Sequence, residues 1–164
     1  MVEEWQPDES ERDWETPLFL IAGGVFAERG GKILILKRAG GEMKGGWDVP
    51  GGIVELGETP ELGALRELEE ETGLRPSGPV RLVGVTAIPL YGQEAVRIMY
   101  VTPCDEGEVV ISDEHEGFRW IEAREYRERY FSDEVIATLE ASSERHGIIS
   151  RAVRVTLDEY LAQR

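Results

Sequence analysis

Residues 52–74, GIVELGETPELGALRELEEETGL, carry the pattern from which the fold follows. Thr59-Pro60-Glu61 is a helix start, with a hydroxyl N-cap, a proline at the first helical position and an acid in the first turn. Gly73 is the matching stop, since glycine enters the left-handed region without steric cost. On a wheel advancing roughly 100° per residue from Leu62, Glu70, Glu67 and Glu71 fall at about 80°, 140° and 180°, whereas Ala64, Leu68, Leu65 and Leu62 span about 200° to 360°. The helix is expected to bury the apolar side and present three carboxylates together. Gly63, near 100° by the same rough count, leaves the acidic face open to a loop or ligand. Like charges at this spacing repel, so the arrangement favours something positive placed among them. Oxygen-only ligation of this kind suits Mg²⁺ or Mn²⁺, which also bridge to phosphate oxygens.

Upstream lies a Gly-rich stretch, residues 40–57, interrupted by Trp47-Asp48-Val49-Pro50-Gly51-Gly52; it reads as a shaped loop, with Trp47 packing under it. Residues 19–26 and 32–38 are apolar and β-branched and are split by Arg29-Gly30-Gly31, which predicts two strands joined by a tight turn. Ile33-Leu34-Ile35-Leu36 does not alternate, so that strand is expected to be covered on both faces by helices. Downstream, residues 80–88 and 95–102 predict strands around a Pro89-Leu90-Tyr91-Gly92 turn. An acidic loop over 105–117, a short strand at 118–121 and helices over 133–145 and 151–162 complete the chain. His115, set between acids in that loop, is expected at the surface. Residues 1–16 hold seven acids against one Arg, with Trp5 and Trp14 as anchors. They are expected to form a partly ordered acidic arm, and residues 17–164 a single domain.

The whole chain of 164 residues carries 18 Lys and Arg against 33 Asp and Glu, a formal net charge of −15. Such a protein repels phosphate backbones at long range, so neither nucleic acid nor a membrane surface is expected as a partner. An anionic substrate would need local cations or a bound metal. No apolar run is long enough to span a bilayer and no leader pattern is evident, so a cytoplasmic location is expected. Cys104 stands alone, which excludes an internal disulfide framework and a cysteine-based zinc cluster.

Taken as one string, Gly52, Glu58 and Arg66-Glu67-Leu68-Glu69-Glu70-Glu71-Thr72-Gly73-Leu74 resemble the Nudix box at every defined position. A looser resemblance runs from about residue 19 to residue 121, through Lys37-Arg38, the Gly-rich loop and the later strands. It implies an α/β/α sandwich with a mixed sheet and hydrolysis of a nucleoside diphosphate linked to another group. By the same resemblance, Gly51 (through its carbonyl), Glu67, Glu70 and Glu71 are the expected ligands of Mg²⁺ or Mn²⁺. Glu67 and Glu70 are the expected catalytic acids, with Glu67 a ligand or the base that activates water. Arg66 is expected to orient the carboxylates, and Gly52, Glu58 and Gly73 to support the loop and helix.

Many members of that family place another acid beyond the box, and Glu114 is the candidate here, from Asp113, Glu114 and Glu116. Lys37 and Arg38 are expected phosphate contacts and Tyr91 a base contact. Within the family, a proline and a tyrosine at the positions of Pro89 and Tyr91 are associated with ADP-ribose and with dinucleoside polyphosphates, respectively. ADP-ribose-like compounds are therefore slightly favoured over dinucleoside polyphosphates and nucleoside triphosphates. Two other readings compete. Isomerisation of an isoprenoid diphosphate is disfavoured because Cys104 lies in no recognisable catalytic context, and a non-catalytic nucleotide sensor is disfavoured by the complete glutamate set. A homodimer involving the N-terminal arm is a further expectation.

Overall fold

Ile33 to Leu36 decide the architecture: all four are buried, and they point alternately into two separate cores. The computed structural model describes residues 18–41 and 43–164, so the acidic arm with Trp5 and Trp14 lies outside the described residues. Strands β1 (Leu20–Arg29) and β2 (Lys32–Arg38) form the expected pair, followed by the short β3 (Trp47–Asp48) and β4 (Gly51–Ile53). Helix α1 (Pro60–Thr72) precedes the long strands β5 (Arg81–Leu90) and β6 (Gln93–Pro103) and then β7 (His115–Ile121). Helices α2 (Ala123–Phe131), α3 (Asp133–Ser142) and α4 (Glu144–Ala162) end the chain.

The seven strands form one mixed sheet, ordered β3-β2-β1-β6-β5, with β4 against β1 and β7 against β2. Among the described residues only β1 and β6 run parallel, in register from Leu20 opposite Ala95 to Glu28 opposite Pro103. One face packs Val25, Leu34, Leu36 and Tyr100 against Ala64 and Leu68 of α1. The opposite face packs Phe26, Ile33, Ile35 and Met99 against Tyr126, Ile136 and Leu157 of α2, α3 and α4. Alternation along each strand thus feeds two cores, and the result is the expected sandwich with a helical layer on each side.

The split of β1 positions the site. Its far end pairs with β2 at Glu28 and Arg29, whereas Ala22, Gly23 and Gly24 pair with Ile53, Gly52 and Gly51 of β4. A Cβ on Gly23 would lie 2.8 Å from the Ala64 Cβ, so α1 can rest directly on the strand beside the glycine loop.

Several expectations need correction. Pro89 and Leu90 belong to β5, and the hairpin turn is Tyr91-Gly92 alone, with φ of 51° and 76°. Helix α2 was not foreseen, and α4 begins at Glu144, seven residues before the expected start. Leu62, placed on the apolar side of the wheel, is 58% exposed at the open start of α1.

Candidate metal and nucleotide site

Helix α1 is capped as its sequence requires. The Leu62 amide donates to Thr59 Oγ1 at 3.3 Å, and Gly73, at φ 70°, donates its amide to the Glu69 carbonyl at 2.8 Å. The acidic loop before β7 runs past the C-terminal end of the helix, where the Val110 amide reaches the Thr72 carbonyl and the Ser112 amide the Glu71 carbonyl. Carbonyls that lack partners within a helix are thereby satisfied, and the loop is held against the acids.

Arg66 is the hub of the acidic face. Its Nε donates to Glu58 Oε1 at 2.8 Å and its Nη1 to Glu67 Oε1 at 2.9 Å and Glu70 Oε2 at 3.0 Å. Nη2 donates to the Ile53 carbonyl at 3.0 Å and to Glu58 Oε2 at 3.1 Å. The hydrogen bonds from Arg66, and then that from the Glu55 amide, hold the Glu58 carboxyl below the usual carboxylate range. Glu58 also lies against Gly63, whose added Cβ would be 3.0 Å from Glu58 Oε2. The open position on the helix thus admits the preceding loop.

Glu71 faces inward and is 5% exposed. It accepts from the Gly51 amide at 2.9 Å, and its other oxygen lies 3.6 Å from His115 Nε2. Burial pushes its pKa up to about 8, against the Gly51 hydrogen bond and with the Glu67 charge adding to the rise. His115 is itself buried, correcting the surface expectation, because β7 begins there, opposite Arg38. Burial, then the Arg38 charge, lowers its pKa.

The glycine loop touches the acids on one side and a cleft of about 160 Å³ on the other. Gly51, Gly52, Arg38 and Tyr91 line that cleft, and Tyr91 stands at the exposed hairpin tip. Lys37 instead pairs with Glu116 at 2.5 Å and does not line it. Glu114 is exposed in the loop before β7, where its carbonyl accepts from the Ala39 amide at 2.9 Å. Trp47 packs against the core under Arg119, whose guanidinium carbon lies 4.5 Å from the ring centroid.

Two charged lining residues, Arg97 and Asp48, escaped sequence reading. Arg97 of β6 is buried and donates to Asp48 Oδ1 at 2.9 Å. Burial pulls its pKa down, but the charge and hydrogen bond of Asp48 outweigh that and leave it raised. A lone Arg in an otherwise apolar strand, VRIMYV, was the available signal.

Among the described residues no three His, Cys, Asp or Glu side chains converge closely enough to form a ready-made cation cage. The reason is local: Arg66 holds Glu67 and Glu70, while Glu71 is engaged by Gly51. The donor set nonetheless fits a hard cation, being all oxygen and including a buried carboxylate that burial makes hard to ionise without positive charge nearby.

The chain is similar to a MutT NUDIX hydrolase of known structure from Burkholderia pseudomallei, with 30% identity and a TM-score of 0.59 over 67% of this chain and 86% of that one. It is also 44% identical over 69 residues to an ADP-ribose pyrophosphatase of Methanocaldococcus jannaschii, covering 42% of this chain and 40% of the relative. With an 8-oxo-dGTP diphosphatase of Escherichia coli it shares 42% identity over 57 residues, 34% of this chain and 44% of the relative. The matched segment thus spans about two fifths of the length of these curated relatives. The family model for the NUDIX domain matches residues 17–139, a span that takes in the glycine loop, the acidic helix and the sheet that carries both, and the chain belongs to that family.

Proposed function

We propose that the chain is a divalent-metal-dependent hydrolase that cleaves the pyrophosphate of a nucleoside diphosphate linked to a second group. One observation carries this reading: Glu67 and Glu71 close on the glycine loop that lines the cleft, with Glu70 tied to Glu67 through Arg66. Glu67, Glu70, Glu71 and the Gly51 carbonyl would hold Mg²⁺ or Mn²⁺. When bound, such a cation neutralises phosphate oxygens and lowers the pKa of water. It would also reconcile a chain of net charge −15 with an anionic substrate.

The remaining work falls to side chains. Glu67 accepts the proton of the attacking water, and Arg66, itself fixed by Glu58, keeps Glu67 and Glu70 oriented. Arg38 and Tyr91 contact substrate from the cleft wall, and Lys37 does so on leaving Glu116. Glu114 is the candidate for a further acid. ADP-ribose-like substrates come first, supported by the activity named for the M. jannaschii relative, and nucleoside triphosphates follow, supported by that of the E. coli relative.

The test is incubation of the purified protein with Mg²⁺ and ADP-ribose, diadenosine tetraphosphate or nucleoside triphosphates, with chromatography of the products. ADP-ribose is expected to yield AMP and ribose 5-phosphate. Binding without turnover on every compound would replace this reading with a nucleotide sensor. Glu70→Gln is expected to lower turnover by at least about two orders of magnitude at an unchanged melting temperature. Near-normal rates would remove Glu70 from the site.

A further inference from the structure

Tyr126 of α2 is fully buried in the core that also contains Phe26, Met99 and Leu157. Phenylalanine would fill the same place without burying a hydroxyl, so the cost of that group is offset by the bond it makes. The bond goes to the Trp47 carbonyl at 2.9 Å. Phe131 meets the Tyr126 ring edge-on at 5.1 Å and Tyr130 lies at 5.5 Å, which fixes the ring and hence the direction of the hydroxyl. Burial, then the Asp48 charge, holds the phenol well above its usual pKa, so the group remains a donor.

The Trp47 carbonyl opens a run of anchored residues. Trp47 and Asp48 form β3, the end strand of the sheet order, paired with Lys37 and Leu36 of β2. Arg97 holds the Asp48 carboxylate, the Val25 amide donates to the Pro50 carbonyl at 2.9 Å, and the Gly51 amide donates to Glu71. Gly52 then lies directly against the Glu67 carboxylate. The segment is short, tied at successive points and stiffened by a proline of fixed φ, so a shift at Trp47 is carried on to Gly51. Tyr126 itself does not line the cleft, unlike Ile149 and Val153 of α4, and reaches the site through this backbone.

On the footing of the hydrolase reading, we propose that Tyr126 is a positioning residue: its hydroxyl holds the Trp47 carbonyl and thereby sets Gly51 and Gly52 against Glu71 and Glu67. The loop thus couples α2, on one face of the sheet, to the acidic helix on the other. Tyr126 touches neither substrate nor cation, and its effect falls on kcat and not on KM.

The experiment compares the full-length wild type with Tyr126→Phe and Tyr160→Phe. Tyr160 is the control, since it is buried in the same core and its hydroxyl donates to Glu28 Oε1 at 2.5 Å, away from the loop. In Tyr126→Phe, kcat on the diphosphate that the wild type hydrolyses should fall at least about tenfold with KM within about twofold, whereas Tyr160→Phe should keep kcat within about twofold. Hydrogen exchange of the Gly51 amide, followed by NMR without metal or substrate, should be at least about tenfold faster in Tyr126→Phe alone. Unchanged Gly51 exchange or unchanged kcat in Tyr126→Phe overturns the proposal, as does an equal fall of kcat in both variants, which a general loss of core stability would give. Faster Gly51 exchange confined to Tyr126→Phe, in a protein whose wild type hydrolyses no diphosphate, leaves the coupling standing and removes the hydrolase reading. Should Tyr126→Phe fail to fold, Tyr126→4-fluorophenylalanine decides, since it fills the place of the hydroxyl without donating; wild-type Gly51 exchange in that variant overturns the proposal.

Discussion

A Cβ on Gly52 would lie 2.4 Å from the Glu67 carboxyl carbon, closer than any side chain can approach. Gly52→Ala is therefore expected to displace Glu67 and, since a misplacement of about 1 Å can cost 10²-fold, to lower kcat by about that factor. Steady-state rates equal to wild type would show that Glu67 need not hold this position. Cys104 gives the pH dependence. It is fully buried, and burial raises its pKa to about 11, against the charge of Arg29. The raised value means that the fold favours the neutral thiol. The contribution is complete below the unfolded value near pH 9 and is lost as pH rises through about 11. Relative to Cys104→Ala, wild type should lose roughly 3 kcal/mol of stability across that window in urea unfolding. A constant difference would refute the shift. His115 shows why single residues are hard to read: a histidine between acids carries no periodicity, and only the pairing of β7 with β2 buries it against Glu71.

Elements were legible where their signals are local. Cap, proline and wheel all lie within residues 59–73, so α1 and its acidic face could be read before any tertiary contact was known. Helix α2, AREYRERYF, hides its buried Ala123, Tyr126 and Phe131 among five charged residues. Pro89 reads as a turn residue but sits in the edge strand β5, where a missing amide is tolerated. Gly147, a poor helix former, lies inside α4, and a Cβ there would be 3.0 Å from the Glu140 Cα of α3. It is a point of close helix approach, which no local pattern announces. Gly147→Ala should accordingly destabilise the protein by about 1–3 kcal/mol through overpacking, although alanine is the better helix former. A gain in stability by chemical denaturation would mean that the two helices part without cost.

At the scale of the molecule, the run Ile33-Leu34-Ile35-Leu36 announced a sheet covered on both faces, but the identity of the second cover was not legible. The resemblance ended near residue 121, and the layer that closes the cleft comes from α2, α3 and α4 beyond it. Their mutual ion pairs, Arg127 with Asp158, Arg151 with Glu140 and Arg154 with Asp133, involve solvent-accessible side chains and add little each. What holds the layer is the apolar seam of α4: Leu157 is fully buried in the core that also contains Phe26, Met99 and Tyr126, and Phe26 stacks on Tyr160 at 4.7 Å. Leu157→Ala should cost about 2–5 kcal/mol by urea unfolding, the range for an incompletely refilled core site. Because Ile149 and Val153 lie on the same helix and wall the cleft, the variant should also raise KM while kcat, set on the far side of the glycine loop, stays within about twofold. A proportional fall in kcat with KM unchanged would mean that the helical layer acts on the glutamates and not on the cleft wall.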